Sequence, residues 1–390
     1  MGHLPATRPA SPLQRGAPAG HMGRRAAQFI ISQSLAAHAI YSPAALRPRT
    51  AHHRRLVTAS SALLPRARRR GSWFTADRVT ALLMLLPSVL AVAVFVYYFI
   101  GRTVYVSFTD WNQIRDSQNL NLKLVGWENY TKVFAQARFQ TDFRNLVVFT
   151  TFFLSGCLAL GLLLALLVDA RVRGEAFFRS VYLFPMALSF IVTGVSWRWL
   201  FTPGNMPLDP TGINLLLHRA GLDFLQSAWI TNAAVWPGTK TALLKTKLGI
   251  PLAIVPVVLA AIWQMAGFTM AMYLAGLRSI GEELREAAIV DGATEWDVFR
   301  LIKLPLLRPV TLSAVIVLAH ASLKIFDLVL TMTGGGPGNA TEVPGILMYE
   351  LTFKSNKIAQ GSAVAVVMLL LIALLIIPYL WNTMRTELEQ

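Results

Sequence analysis

The chain carries a single cysteine, Cys157, among 390 residues. One thiol excludes an internal disulfide and a cysteine-held zinc site. Charge is also scarce: Asp, Glu, Lys and Arg make up 14%, where a soluble domain carries roughly 25%. Acids are fewer still, 20 against 36 basic residues. No Gly-x4-Gly-Lys-Ser/Thr run occurs, so the chain lacks a phosphate loop of its own. The lone cysteine lies in an oily stretch, and the one histidine in such a stretch has no nucleophile at useful spacing, so no catalytic residue is expected. No metal-ligating set is expected either.

What fills the space is apolar. Hydrophobic residues make up 54% and the mean hydropathy is +0.50. Six stretches of about 18 or more mostly apolar residues are long enough to cross a hydrocarbon core roughly 30 Å thick. Residues 79–101 and 145–168 contain no charge at all. A third span is expected over 180–197, where Arg198 stands between Trp197 and Trp199 as a snorkelling residue does at an aromatic belt. A fourth lies within 248–277, a fifth begins near 309, and a sixth fills 362–384. Prolines at 87, 185, 256 and 378 do not oppose these spans, because neighbouring helices in a bundle shelter the freed carbonyls.

An even number of spans puts both termini on one side. Arg66, Arg68, Arg69, Arg70 and Arg78 precede the first span, and Arg171, Arg173 and Arg179 follow the second. Positive charge on short loops marks the cytoplasmic side, so both termini are expected there. The formal charge of +16 could suggest nucleic acid, but 13 of the basic residues lie before position 79 against one acid, Asp77. The excess is a property of the tail. Residues 1–70, rich in Ala, Pro, Arg and Ser, read as a disordered cytoplasmic tail that touches anionic lipid heads. A targeting peptide, or a true start at Met22, are the other readings.

Between the fourth and fifth spans lies a charged, helix-prone strip, "EELREAAIVDGATEWDVFRLIKLP", over 282–305. Helix formers lead to a break at Asp291-Gly292, where glycine supplies the permissive backbone. A second helix then sets Trp296, Phe299 and Ile302 at every third position, and Pro305 is expected to end it. One reading is an interfacial amphipathic helix. Against it, the first half is acidic, with Glu282, Glu283, Glu286 and Asp291, whereas membrane-surface helices carry Lys and Arg on the polar face.

Glu286-Ala287-Ala288, three residues, Gly292, nine residues, then Ile302-x-Leu304-Pro305 resembles the EAA-loop signature of permease subunits from binding-protein-dependent ABC importers. "LAGLRSIGEELREAAIVDGA" and "IKLPLLRP" are similar to the carbohydrate-uptake branch. "IFDLVLTMTGGGPGNATEV" resembles the first, maltose-permease-like, of two unequal subunits. One departure is Gly281, where the family commonly has proline.

The resemblance implies an all-α polytopic fold of six spans, the type I importer or MetI-like fold, over 71–390, with the coupling loop at 279–308. It implies that the strip seats in a cleft of a cytosolic ATPase. Glu286, Ala287, Ala288, Asp291 and Gly292 would dock there, Glu286 facing an arginine, while Trp296, Phe299 and Pro305 anchor and terminate the strip. Its implied partners are a second permease subunit, two ATPase copies that hold ATP and Mg, and an extracytoplasmic solute-binding protein. The chain itself would bind no cofactor and hydrolyse nothing, and would sit in a bacterial or archaeal plasma membrane.

In the fifth span His320, Lys324 and Asp327 stand at i, i+4 and i+7 in an otherwise apolar run, so they are expected to share one helical face. Charges at such depth face a water-filled cavity or each other. Two readings stay open: a structural Lys324–Asp327 pair, or a solute pathway formed with Ser322. Comparison with maltose-type permeases adds Gln264, Met265 and Phe268 to that pathway, with Phe268 as either a stacking platform or plain packing. The solute would be a sugar, or else a polyol or glycerol-3-phosphate. A stand-alone secondary transporter with Asp327 and His320 as a proton relay is a further alternative; it predicts internal repeats, and none is found. The Thr333-Gly334-Gly335-Gly336-Pro337-Gly338 run reads as a flexible outer turn, and "TGINLLLHRAGLDFL" as a short helix that either docks a partner or caps the bundle.

Overall fold

The computed structural model describes residues 76–112, 122–170, 174–206, 208–242 and 244–388. The expected tail over 1–70, and Arg171 and Arg173, lie outside the described residues. The first span is α1 (Ala76–Val92), continued through a π-helical stretch, Ala93–Tyr98, into α2 (Phe99–Ser107). After α3 (Glu128–Ala135) comes the longest helix, α4 (Ala137–Asp169). Then follow α5 (Glu175–Leu183), α6 (Phe190–Phe201) and a short outlying helix, α7 (Gly212–Arg219). The remaining helices are α8 (Ile254–Arg278), α9 (Glu282–Val290), α10 (Glu295–Asp297), α11 (Leu304–Leu306), α12 (Arg308–Leu323), α13 (Phe326–Thr333), α14 (Pro344–Tyr349) and α15 (Ile358–Leu388).

Leu83–Ser107, Ala137–Asp169, Ile254–Arg278 and Ile358–Pro378 are each long and apolar enough to cross a membrane, and two bent helix pairs, each taken as one span, make six. The centre is the seam of α4 against α8. An added Cβ at Gly156 would come within 2.2 Å of Ile262, and one at Gly161 within 2.7 Å of Thr269. Small residues of this kind let membrane helices approach closely, which is where packing energy comes from when lipid is as apolar as the side chains. Around the seam Phe149, Phe153 and Cys157 of α4 bury against Val257, Ala260 and Ala261 of α8, joined by Leu318 of α12 and Leu328 and Met332 of α13.

The third span is not the single helix expected over 180–197. It is α5, a 3₁₀ turn over Phe184–Ala187 and α6, bent by 98°. Pro185 in the turn has no N–H to continue a helix, and Ser189 restarts one by accepting from the Ile191 and Val192 amides at 3.2 and 3.4 Å. A broken helix in a bundle must satisfy its freed carbonyls internally. Gln264 of α8 does this, donating Nε2 to the Leu188 carbonyl at 2.7 Å. Gly267 lies beside the same break, where any Cβ would stand 1.9 Å from the Tyr182 carbonyl oxygen.

The segment before α8 overlaps the stretch 248–277 within which the fourth span was expected. It is a hairpin of two antiparallel strands, β3 (Val235–Lys240) and β4 (Lys247–Pro251), preceded by the two-residue pair β1 (Gly204–Asn205) and β2 (Asp209–Pro210). Trp236, Val235 and Thr239 have the aromatic and β-branched character of strands, which the hydropathy of 248–277 outweighs in a sequence reading.

At the end of α4 near this hairpin, charge is collected into one network. Arg138 Nε donates to both carboxylate oxygens of Glu342 at 3.0 Å, and its Nη2 reaches Glu350. Asn145 donates to the carbonyls of Asn339 and Glu342 at 3.0 and 2.8 Å. The glycine run of 334–338 is bracketed by a side-chain contact: Thr333 and Thr341 hydroxyls meet at 2.7 Å across it. Burial pushes the Glu342 carboxyl above the usual range against the opposing pull of Arg138, whereas the hydrogen bond from Arg138 holds Glu350 below it.

Two outcomes test these contacts. Arg138→Met leaves Glu342, with 1% of its side chain exposed, without its cation, at a cost of about 3–5 kcal/mol; thermal unfolding in detergent reads it, and adding Glu342→Gln returns most of the loss. Gly267→Val overpacks the break and lowers stability by about 1–3 kcal/mol in the same assay, while Gly101→Val, in open space, leaves it unchanged.

Candidate functional site

The strip forms two helices, as expected. α9 starts from Gly281, whose extended backbone (φ −62°, ψ 136°) offers no capping side chain. It ends at Asp291, and Gly292 follows at φ +89° with nothing near its Cα, a left-handed conformation that side chains resist. α10 opens on a capping box: Asp297 N–H donates to Thr294 Oγ1 at 3.2 Å, and Thr294 N–H donates to Asp297 Oδ2 at 3.0 Å. Arg285 clamps the two helices, reaching Glu282 at 2.9 Å within α9 and Glu295 across the bend. Hydrogen bonds from Arg285 and Thr294 hold the Glu295 and Asp297 carboxyls below their ordinary range.

Beyond α10 the chain becomes π-helical over Val298–Lys303 and runs on through α11. Pro305 therefore does not end the helix. In the wider turn the Leu304 amide bonds the Phe299 carbonyl, and the 58° bend falls between Leu306 and Arg308 instead. The π turn also breaks the every-third-residue stripe. Val298 becomes the buried anchor at 1% exposure, Phe299 and Ile302 are half-buried, and Trp296 stands out at 65%, its ring 5.4 Å from that of Phe299. Glu286, Ala287 and Asp291 are exposed and Ala288 half-buried. Val290, at 86%, and Leu284 add apolar surface to the same acidic element.

Behind the strip, charges that the sequence reading left unassigned converge. Arg278, in the last turn of α8, holds Glu175 in the first turn of α5 at 2.6 Å. Asp169, at the end of α4, lies 3.9 Å from Lys303 and 4.0 Å from Arg278. These pairs border a cavity of about 640 Å³ that Glu282 and Arg285 also line. The ends of three spans thus meet one another through ion pairs beside the strip, and Asp169–Lys303 joins them to it. The signal was in the sequence, as charges placed where each uncharged run stops.

The expected pathway residues do not share one environment. α12 stops at Leu323, and the Phe326 amide bonds the Lys324 carbonyl at 2.7 Å. Ile325, buried at 3%, turns inward at that break. Hence His320, Lys324 and Asp327 do not lie on one continuous helical face, and Lys324 and Asp327 are both exposed with no ion pair between them. Ser322 is buried against α4, accepting from Thr150 at 3.0 Å. Gln264 is taken up by the span-three break, although its Oε1 is buried without a hydrogen-bond partner, as is Nδ1 of the half-buried His320. Met265 and Phe268 are half-buried.

Residues 157–384 match the family described as the binding-protein-dependent transport system inner membrane component. A probable ABC transporter permease protein of Pyrococcus horikoshii is 38% identical over 78% of this chain and 96% of its own length. The xylose/arabinose import permease protein of Haloferax volcanii is 33% identical over 76% of this chain and 85% of its own. The fold resembles a chain in the crystal structure of a bacterial ABC transporter that imports the acidic polysaccharide alginate, with a TM-score of 0.60 at 18% identity, covering 81% of this chain and 98% of that one.

The chain belongs to the family of binding-protein-dependent transport system inner membrane components. It is a multi-pass membrane permease of the ABC importer type, a non-catalytic transport component.

The clamp on the strip predicts a measurable geometry. Spin labels on α9 and α10 should show one narrow separation in the wild type from about pH 8 to pH 5, because carboxyls held below their usual value of about 4 stay ionised there. That contribution is lost only as the pH falls through the depressed values. Arg285→Ala should broaden the distribution at every pH.

Proposed function

We propose that this chain is one of two membrane subunits of an ATP-driven importer that takes up a sugar by alternating access. A loaded solute-binding protein docks at the end of the bundle opposite the strip. Two ATPases, which bind the ATP and Mg, seat the strip from the cytosolic side, where both termini also lie. Closure of the ATPases moves α9 and α10 as a rigid pair, and the ion pairs of Asp169, Glu175, Arg278 and Lys303 carry that movement to the spans.

One observation carries this reading. The strip is folded and internally clamped, yet it leaves Val290, Trp296 and Leu284 in water beside Glu286 and Asp291. Apolar anchors ringed by charge are what an interface core and rim consist of. Glu286 is the residue we assign to an arginine of the ATPase cleft, with Ala287, Ala288 and Gly292 allowing close approach. A sugar is supported by the relatives named for pentose import and for a multiple sugar-binding system. A polyol or glycerol-3-phosphate is the second reading; for the phosphate the support is Lys324, an exposed cation at the break after α12 with no salt bridge among the described residues.

Two measurements test it. The full complex should co-purify with an ATPase and a second permease. In proteoliposomes, Glu286→Lys should cut solute-stimulated ATP hydrolysis and uptake at least tenfold, about 1.4 kcal/mol or more of coupling, while insertion is unchanged; undiminished uptake would sink the coupling role. Thermal shifts of the cognate binding protein with sugars, polyols and glycerol-3-phosphate then separate the two solute readings.

A further inference from the structure

Three aromatic rings stand in file in the half of the bundle away from the strip. Phe326 opens α13 with its ring 5.6 Å from that of Tyr349 at the end of α14, and Tyr349 lies 5.5 Å from Phe353 in the π-helical stretch Glu350–Lys354. The outer member belongs to the rim of the bundle, because Glu350 in the same stretch holds Arg138 in the first turn of α4. The inner member lies deep. An added Cβ at Gly345 would stand 3.7 Å from Phe326 and 3.8 Å from Met368. Met368 is about 15 Å along the span that begins at Ile358, at 1.5 Å per residue, which is roughly half of a hydrocarbon core. The file therefore descends from the rim towards the middle of the bundle.

Packing accounts for only part of this file. Tyr349 and Phe353 stand at i and i+4, a spacing that any helix uses for ring contacts, yet Phe353 is 70% exposed and Phe326 and Tyr349 are only half-buried. What the rings face is decided by their neighbours. Lys324 and Asp327 flank Phe326 in the chain, both are exposed, and neither has a salt bridge among the described residues. Unpaired charges at that depth face a water-filled cavity rather than lipid. At the other end Lys354 lies over the Tyr349 ring, 5.7 Å from its centroid, and donates to Glu350 at 3.1 Å. The rings thus run beside water from rim to middle, with charge at both ends. An acyl chain laid along them would leave Lys324 and Asp327 unhydrated.

We propose that Phe326, Tyr349 and Phe353 form a stacking track for a ring sugar on its way from the binding protein into the bundle. The inference rests on the transport reading above and narrows its solute. A cyclic sugar has a flat face of C–H groups with partial positive charge, which complements the negative face of an aromatic ring, and hydroxyls around its edge that pair with carboxylate and ammonium. Ring faces hold no fixed donor or acceptor, so a sugar moves from one to the next without breaking directional bonds. Lys324 and Asp327 receive its hydroxyls at the inner end. An acyclic polyol has no such face and gains little from the rings, and glycerol-3-phosphate would use Lys324 alone.

The test uses the whole complex and its binding protein in proteoliposomes, supplied with radiolabelled ring sugars and the corresponding acyclic polyols. Phe353→Ala and Tyr349→Leu should each cut sugar uptake about three- to tenfold, the size of one lost aromatic contact, with the melting temperature and the affinity for the binding protein unchanged. Phe353→Trp and Tyr349→Phe should keep uptake near the wild-type rate. Cys157 is buried and is the only cysteine of the chain, so Tyr349→Cys supplies a single accessible thiol. A water-soluble maleimide should label it, and the transported sugar should slow the labelling. Labelling by a lipid-soluble maleimide alone, labelling indifferent to sugar, or sugar uptake unmoved by Phe353→Ala and Tyr349→Leu would each overturn the track and leave the importer standing. ATP-driven uptake confined to acyclic polyols or glycerol-3-phosphate would overturn the sugar reading and the track with it.

Discussion

Close approach of α4 and α8 is the contact on which the rest of the molecule depends. Helices in lipid gain little from apolar burial alone, so they hold together where backbones come near enough for dense packing. Gly156 and Gly161 give α4 that nearness against Ile262 and Thr269. Once the seam is made, α12 and α13 close over Phe149 and Phe153, and α8 is positioned to receive the broken third span through Gln264 and Gly267. The two ends of the seam are then where charge can exist at all, because ions are costly in the hydrocarbon between them.

The two ends use charge differently. Near the hairpin, Arg138 and Glu342 make a buried, hydrogen-bonded network that staples the loop of 334–342 to α4. Near the strip, Arg278, Glu175, Asp169 and Lys303 are partly exposed and less tightly paired, at 2.6 to 4.0 Å. Partly solvated pairs are worth little individually and can exchange partners at low cost. A buried staple at one end and solvated pairs at the other are what the coupling proposed above would use. Within the strip itself the Arg285 clamp and the Thr294 capping box tie α9 to α10 and fix the start of α10.

Most of the architecture was legible from composition, because a span is a one-dimensional property: length and hydropathy set it. The strip was legible as well, since Asp291-Gly292 marks a turn by chemistry that is local to it, and Glu286-Ala287-Ala288 with Gly292 and Pro305 forms a spaced pattern. Less visible was the break at Pro185. Prolines at 87 and 378 sit inside continuous helices, and what separates them from Pro185 is the presence of Gln264 and Gly267 on a neighbour, far away in the chain. The helix end at Leu323 escaped for a related reason. Helical spacing puts Lys324 and Asp327 beside His320 only if the helix goes on, and the buried Ile325 decides that it does not.

The amino-acid sequence by itself determined the class of the molecule, the number of its spans, the kinked strip and the positions of the charged span ends, all of which follow from local polarity and backbone preference. Tertiary structure alone decided which carbonyl Gln264 would satisfy, which of Val298, Phe299 and Ile302 would be the anchor, and that a hairpin and α4 would border an apolar cavity. The physical reason is the same throughout. Polarity per residue is written in the chain, whereas the partner that relieves a broken hydrogen bond or pairs with a buried charge is found only when distant segments meet.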